Sequence, residues 1–316
     1  MTFDGVRTMA THEFRLRLRA GRWRWMLGAW FATLLALTVV LRWALLESGQ
    51  PEPGTDMFGG LMLFMLGLAL LVVPALTAQS VNGDRERGVL AILQTTLLTP
   101  AEIAVGKLVA AWGVSLVFLV VSLPLIWWCI AEGGVSVTRV AVCLGVTALL
   151  LGVICAIAQC LSALLARSTT SAVMSYLAVF ALTVGTVIAF GLTVSVTQQT
   201  VTVRTDAAPF ENTYSRPDRV WWLLAPNPFV IVADAAPRPA VRAEYPTQLD
   251  VLGELGRGIR SARYEVTVEG TQIVTDKAVW PYGLAANLLL GAGAVALTTR
   301  RLKAPYARLP KAVRVA

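Results

Sequence analysis

The chain has 316 residues, of which 56% are hydrophobic and only 15% are charged, and its formal net charge is +8. About a quarter of the residues in an ordinary soluble domain are charged, so this composition excludes that class. Six apolar segments reach the roughly 20 helical residues that cross a hydrocarbon core. They predict an all-α polytopic membrane protein with spans at Trp25–Leu46, Phe58–Val81, Leu108–Ala131, Val137–Ala166, Thr170–Thr197 and Ala278–Thr299.

Residues 1–24 precede the first span, and the stretch from residue 10 to residue 24 is basic and aromatic. Its run from Phe14 to Arg19 alternates with period two, which favours a strand. We nevertheless predict a short interfacial helix here, because the stretch leads directly into a spanning helix and its arginines can reach lipid headgroups. Phe14, Arg15 and Arg19 are its candidate contact residues. A basic anchor without any partner contact is the alternative, and the sequence supports it equally well.

The first span is predicted to remain in the membrane. Its apolar run is longer than the core of a signal peptide, and no small-residue cleavage site follows it. Spans one to five then occupy residues 25–197.

A polar loop at residues 82–107 separates spans two and three. Apolar residues recur at helical spacing between Glu86 and Leu97, which predicts an amphipathic helix of about three turns. Thr99-Pro100-Ala101-Glu102 has the pattern of a capping box with proline at the first helical position, which predicts the start of the helix that becomes span three. The loop is therefore predicted to contain a short helix, a sharp break and a second helix start.

Residues 198–277 are richer in proline and in mixed charge than the rest of the chain. The apolar stretch from Trp221 to Val232 is too short and too broken by proline to span, so we expect it to lie against the outer membrane interface. A short amphipathic helix around residues 251–259 and a β-hairpin at residues 264–274 complete a predicted small α+β external module between spans five and six. Span six (278–299) and a basic cytoplasmic tail (300–316) follow.

The distribution of lysine and arginine predicts the orientation of the spans. These residues cluster in both termini and in the connections after spans two and four, whereas the short opposite connections hold only Arg42 and Arg139 near their edges. Because cytoplasmic loops carry the excess of basic residues, both termini are predicted to lie in the cytoplasm, with the spans in the cell membrane. The basic residues follow the membrane edges and do not alternate with stacking aromatics, so we expect no nucleic-acid binding.

The sequence favours neither catalysis nor a cofactor within this chain. The deep parts of the predicted spans contain no Asp, Glu, Lys or His, which ion-coupled transporters and intramembrane enzymes usually need. No phosphate-binding glycine loop leads into Gly106-Lys107. The four cysteines lack metal-ligand spacing and are predicted to be small apolar filler, with a Cys129–Cys143 disulfide as the alternative. Energy for any transport must therefore enter from another polypeptide.

The polar loop resembles the cytoplasmic loop of ABC type-2 transporter permeases. The resemblance is carried by Asn82-Gly83-Asp84-Arg85-Glu86-Arg87-Gly88-Val89-Leu90, by Leu97-Leu98-Thr99-Pro100-Ala101-Glu102-Ile103 and by Gly106-Lys107. The span count, the basic N-terminal approach and the element Asn227-Pro228-Phe229 are also similar to the family. The resemblance implies a permease subunit of an ATP-driven exporter, paired with a second permease chain in a homodimer or heterodimer and docked on a cytoplasmic ATP-binding subunit. The uncharged spans suggest an apolar or amphipathic substrate, and membrane lipids surround the bundle.

The resemblance also implies roles for individual residues. The loop would act as a coupling helix in a cleft of the ATPase, and the connection through Pro100 would pass its motion to spans two and three. The coupling residues implied in this way are Asp84, Arg85, Glu86, Arg87, Gly88, Thr99, Pro100 and Glu102. Taken alone, the loop is equally well explained as a solvated cytoplasmic turn. The alternative function is a non-transporting membrane sensor or scaffold with an external ligand-binding module; transport by a homodimer without ATP is weaker.

Overall fold

The computed structural model describes residues 2–19, 22–49, 53–89, 98–203, 210–237, 250–263, 265–266, 272–273 and 277–303. Within these ranges six helical segments are long and apolar enough to cross a membrane. They have the character of a multi-pass membrane protein, which confirms the predicted class. Their boundaries are Trp23–Glu47, Gly54–Glu86, Pro100–Ala131, Val137–Leu164, Ser168–Val196 and Trp280–Leu302. The cellular membrane and the side on which the termini lie stay predictions.

The N-terminal stretch is helical, as predicted, in spite of its period-two pattern. Helix α1 (Phe3–Arg19) starts seven residues before the predicted stretch, and α2 (Arg22–Glu47) forms the first span. Helix α1 packs along the beginning of the third spanning helix. Its placement at a membrane interface stays a prediction.

Span two is a long helix extended by a short one, and spans three and four are single long helices. Span two is α3 (Gly54–Thr77), which contains Pro74 and leads into the short α4 (Asn82–Glu86). Spans three and four are α5 (Pro100–Ala131) and α6 (Val137–Leu164). At 32 residues, α5 is longer than the roughly 20 residues that a bilayer core requires, so its first turns can extend beyond the hydrocarbon.

Span five contains a change of helical geometry. It consists of α7 (Ser168–Phe180), a π-helical segment (Ala181–Gly185) and α8 (Thr186–Val196). A π-helical turn disrupts the usual i→i−4 backbone pairing and can leave carbonyl groups for other partners. Thr183, inside this segment, uses its carbonyl in that way, as described below.

The predicted external α+β module is not supported, because helices from this segment pack into the bundle. Strand β1 (Gln198–Val203) pairs antiparallel with β2 (Phe210–Ser215), and the two-residue strands β3 (Glu265–Val266) and β4 (Gln272–Ile273) form a second antiparallel pair. Two single turns of 3₁₀ helix, Pro217–Arg219 and Trp221–Leu223, precede helix α9 (Pro228–Ala235). Helix α10 (Val251–Ser261) packs on α9 and α3, and α11 (Trp280–Leu302) is the sixth span.

Helix α9 corrects the expectation that residues 221–232 lie against the outer interface. Trp222 is exposed, but Ile231 and Val232 are completely buried and belong to the main apolar core. Helix α9 contacts α6, α10 and α11. The prolines that prevent this stretch from spanning thus permit a short helix that enters the bundle from one end.

Candidate functional site

Helix α4 is held against the bundle by its backbone. The N–H groups of Val81 and Asn82 both donate to Ser162 Oγ on α6, each at 3.1 Å. Ser171 of α7 donates its hydroxyl to the carbonyl of Ala78 at 2.8 Å. Serine at these two positions therefore satisfies backbone N–H groups at the start of α4 and a backbone carbonyl at the end of α3.

A buried lysine joins α4 to two other helices. Lys107 on α5 is 1% exposed, and its Nζ forms ion pairs with Glu13 of α1 and with Asp84 of α4. Asp84 also accepts a hydrogen bond from Arg87 at 3.1 Å, and Arg17 lies 3.9 Å from Glu13. We call the three residues Lys107, Glu13 and Asp84 the lysine cluster. The lysine cluster keeps Asp84 buried, and Asp84 in turn anchors α4 to the neighbouring helices.

The start of α5 is capped as the sequence predicts. Thr99 donates its N–H to Glu102 Oε2 at 2.8 Å and its Oγ1 accepts from the Glu102 N–H at 3.3 Å, with Pro100 in the first turn. Glu102 also accepts from the Thr2 N–H at 2.5 Å and from the Thr2 hydroxyl at 2.8 Å. Glu102 is 3% exposed, so in this structure it joins the starts of α1 and α5.

Small residues let α1 lie close to α5. A Cβ atom added to Gly106 would come within 2.6 Å of Met9 Cβ and 3.2 Å of the Val6 carbonyl oxygen. Phe14 continues this contact, since its ring would lie 3.5 Å from a Cβ at Gly113. Phe14 is half-buried against the core and Arg15 is exposed, whereas the side chain of Arg19 lies outside the described residues.

The exposed part of the loop begins at the end of α4. Arg85, Glu86, Arg87, Gly88 and Val89 are all exposed. Glu86 accepts a hydrogen bond from the Ser168 N–H at the start of α7, at 3.2 Å. Gly88 has φ +73°, a left-handed conformation that glycine adopts without strain. Helix α4 ends where the predicted amphipathic helix was to begin, and residues 90–97, which hold most of that helix, lie outside the described part of the chain.

A cavity of about 440 Å³ opens between α1 and α4. Charged side chains from the lysine cluster and the exposed loop line it together with apolar ones. Its lining includes His12, Glu13, Arg17, Asp84, Arg87 and Val89. The cavity therefore lies beside the exposed loop and borders the residues that hold α4 in place.

At the opposite end of the bundle, Asn227 and Asp234 hold α9 in position. The sequence analysis named Asn227 only for its family resemblance and did not name Asp234. Asn227 caps α9 by accepting from the Phe229 N–H at 2.9 Å, and its amide donates to the Thr183 carbonyl in the π-helical segment at 2.7 Å. Asp234 accepts from Arg260 at 2.5 Å and from the Val279 N–H at 2.6 Å. An asparagine followed by proline is a local pattern that could have indicated this cap, but nothing local indicated the distant partners.

Arg42 and Glu132 form an ion pair at this same end. Arg42 Nε lies 2.6 Å from Glu132 Oε1, and Trp128 donates to the same oxygen at 2.9 Å. The hydrogen bond from Arg42, with that from Trp128, lowers the pKa of Glu132 below its ordinary value.

The metal and cysteine predictions can be compared with the described part of the chain. There, no group of three or more His, Cys, Asp or Glu side chains is arranged to hold a metal ion. Cys129, Cys143, Cys155 and Cys160 are free and buried, so the alternative Cys129–Cys143 disulfide is absent.

No protein-family model matches this chain, and no curated protein matches it. The ABC type-2 assignment therefore rests on the sequence resemblance, and the assigned coupling roles stay predictions.

Proposed function

We propose that the chain is the membrane-spanning permease subunit of an ATP-driven ABC type-2 exporter. A cytoplasmic ATP-binding subunit docks on the exposed loop Arg85–Val89, and a second permease chain completes the transporter. The observation that carries the proposal is an exposed, charged turn that directly follows buried residues 82–84 of α4, of which Asp84 is ion-paired. A loop that served only as a solvated turn would not need a buried lysine beneath it.

The contacts around α4 suggest how a push on this loop would spread. Asp84 connects α4 to α5 and, through Lys107, to α1. Ser162 connects it to α6, and Glu86 connects the exposed turn to the start of α7. Because packed interiors transmit displacement instead of absorbing it, movement of α4 would reach four neighbouring helices. The coupling residues then fall into two groups: Arg85, Glu86, Arg87 and Gly88 face the partner, while Asp84, Thr99, Pro100 and Glu102 hold the loop.

The proposed cargo is apolar or amphipathic, and export is the proposed direction. Both follow from the uncharged deep spans and from the family resemblance. An apolar molecule could leave the bilayer along helix surfaces without a polar tunnel through one subunit. The second permease chain would then supply the other wall of the path.

The test is charge reversal on the exposed loop. Arg85→Glu is the chosen variant because Arg85 is exposed and its closest polar contact, Asn82, lies 3.5 Å away. Arg301→Glu, an exposed arginine in the last turn of α11, is the matched control. The protein is solubilised from its native cells, and co-purifying ATPase subunits are identified by mass spectrometry and assayed.

We expect the wild type and Arg301→Glu to retain an ATP-binding subunit and its activity, whereas Arg85→Glu loses that subunit or uncouples its ATP hydrolysis. Recovery of the correctly folded protein without any ATPase would contradict the proposal and favour the sensor or scaffold. An ATPase retained equally by all three proteins would instead remove the docking role from this loop.

A further inference from the structure

A second buried charged cluster lies at the end of α3 remote from α4. It consists of Asp56 on the first turn of α3, Arg139 on the first turn of α6 and Asp250 immediately before α10. Their exposed fractions are 4%, 1% and 4% respectively. We call these residues the outer triad, and neither the resemblance nor the proposed function assigns them a role.

The three side chains are unequally paired. Arg139 Nη2 lies 2.5 Å from Asp250 Oδ1. Neither carboxylate oxygen of Asp56 has a hydrogen-bond partner in the described part of the chain. The backbone N–H of Val251 interacts with this carboxylate electrostatically, but the two groups are not placed well enough to form a hydrogen bond. Asp250 Oδ2 and the Nε and Nη1 atoms of Arg139 are also buried without partners. Asp56 is thus a buried acid whose neighbours do not satisfy it.

Other charges near the triad do not balance it. Asp56 interacts electrostatically with Asp250 and Arg139. Arg42, near the end of α2, and Glu132, directly after α5, form an ion pair and neutralise one another. On α10, Glu254 and Arg257 form their own exposed ion pair. Glu47, at the end of α2, is another exposed acid and therefore adds no positive charge. In the described residues, two buried carboxylates therefore share one guanidinium.

We propose that the outer triad is a proton-binding site, in which Asp56 and Asp250 together hold one proton. Two carboxylates and one guanidinium carry a net negative charge when all are ionised. A buried group in this position is neutralised by binding a proton, because an unpaired buried charge is far more costly than a neutral acid. The remaining carboxylate then balances Arg139.

Proton binding at this site would control how α10 is held on α3. Asp250 immediately precedes α10, and Leu252 in its first turn is completely buried. A Cβ added to Gly59 of α3 would lie 3.3 Å from the Leu252 N atom, so the two helices touch beside the triad. Loss of the proton places a second negative charge at this contact. The docking of α10 is therefore strongest while the proton is bound and weakens when the proton is lost at higher pH.

The test is infrared spectroscopy of the whole protein in nanodiscs. Spectra are compared between about pH 5 and about pH 8, a range above the ordinary pKa values of exposed Asp and Glu. We expect the wild type to lose a protonated-carboxyl C=O band on going to the higher pH. Asp56→Asn should lack this band, because the asparagine side chain has no carboxyl group to hold the proton.

Asp250→Asn provides an independent variant. Without the Asp250 charge beside it, Asp56 should release its proton at a lower pH than in the wild type, so the band should be lost at a lower pH. Glu254→Gln is the matched control on α10, since Glu254 is exposed, and it should keep the band. Thermal unfolding of each variant checks that it is folded.

A wild type without a pH-sensitive carboxyl band would overturn the proposal, and this readout does not require any variant to fold. A pH-sensitive band that persists in Asp56→Asn would place the proton elsewhere and would also overturn it, as would a band in Asp250→Asn that is lost at the same pH as in the wild type. A merely structural role for the triad predicts that Asp56→Asn and Asp250→Asn lose stability without any change in a carboxyl band.

Discussion

Replacing Lys107 by methionine removes the positive centre of the lysine cluster and keeps most of the volume of the side chain. The side chains of Glu13 and Asp84 are only 14% and 10% exposed, so both carboxylates would stay buried without their main partner. Removing one member of a buried ion pair costs about 3–5 kcal/mol. We expect the lower end of this range, because Arg87 and Arg17 partly compensate the two acids.

The assay is unfolding of Lys107→Met by sodium dodecyl sulfate in mixed micelles, followed by circular dichroism. Lys303→Met, at an exposed lysine after α11, is the control and should change the free energy of unfolding by less than about 0.5 kcal/mol. The triple variant that adds Glu13→Gln and Asp84→Asn should recover most of the loss, because no buried carboxylate is then left without its lysine partner. Equal destabilisation in the single and triple variants would refute the electrostatic reasoning and indicate a packing role.

Two further predictions concern helix contacts and pH. Gly106→Ala should destabilise the protein by about 1–3 kcal/mol, since the new methyl group would overlap Met9. Gly28→Ala is the control: a Cβ at Gly28 would have no atom within 4 Å, so this variant should be neutral or stabilised by up to about 1 kcal/mol. Thermal unfolding of both variants measures the difference. The lowered pKa of Glu132 means that its ion pair stabilises the fold above the ordinary pKa and loses this effect as pH falls through the folded pKa. Arg42→Gln should therefore reduce the acid-induced loss of stability by about 0.2–1 kcal/mol, a small effect because the Arg42 side chain is 39% exposed. Equal acid unfolding profiles for variant and wild type would contradict this prediction.

Local patterns predicted the elements but not the partners of their charged side chains. The apolar runs fixed the six spans to within a few residues at most ends, and Thr99 to Glu102 predicted a cap that the structure contains. Both patterns depend on neighbours within one or two helical turns. Local sequence could also indicate that residues 221–232 do not span, but not that α9 enters the core, because this depends on the space left between distant helices.

The charged loop shows the same limit at the level of single residues. Asp84 and Arg85 are adjacent in a polar run, and the sequence gives no reason to treat them differently. Asp84 is buried only because Lys107, 23 positions later, and Glu13, much earlier, meet it in the fold. Likewise Asp56 was expected to precede span two, but α3 begins at Gly54 and carries this acid into a buried site.

The two charged clusters sit at opposite ends of α3 and its extension α4, and this arrangement connects the two proposals. Inside a bilayer, association of helices gains little from the hydrophobic effect, so buried polar contacts contribute to fixing how helices lie against each other. Pro74 can allow α3 to bend, but an axial push on α4 would still be passed along the helix, whose 24 residues span about 36 Å. Such a push would shift Asp56 relative to Arg139 on α6. If ATP-driven movement changes the proton affinity of the outer triad in this way, thermodynamic linkage requires that protonation changes the equilibrium position of α4 by the same factor.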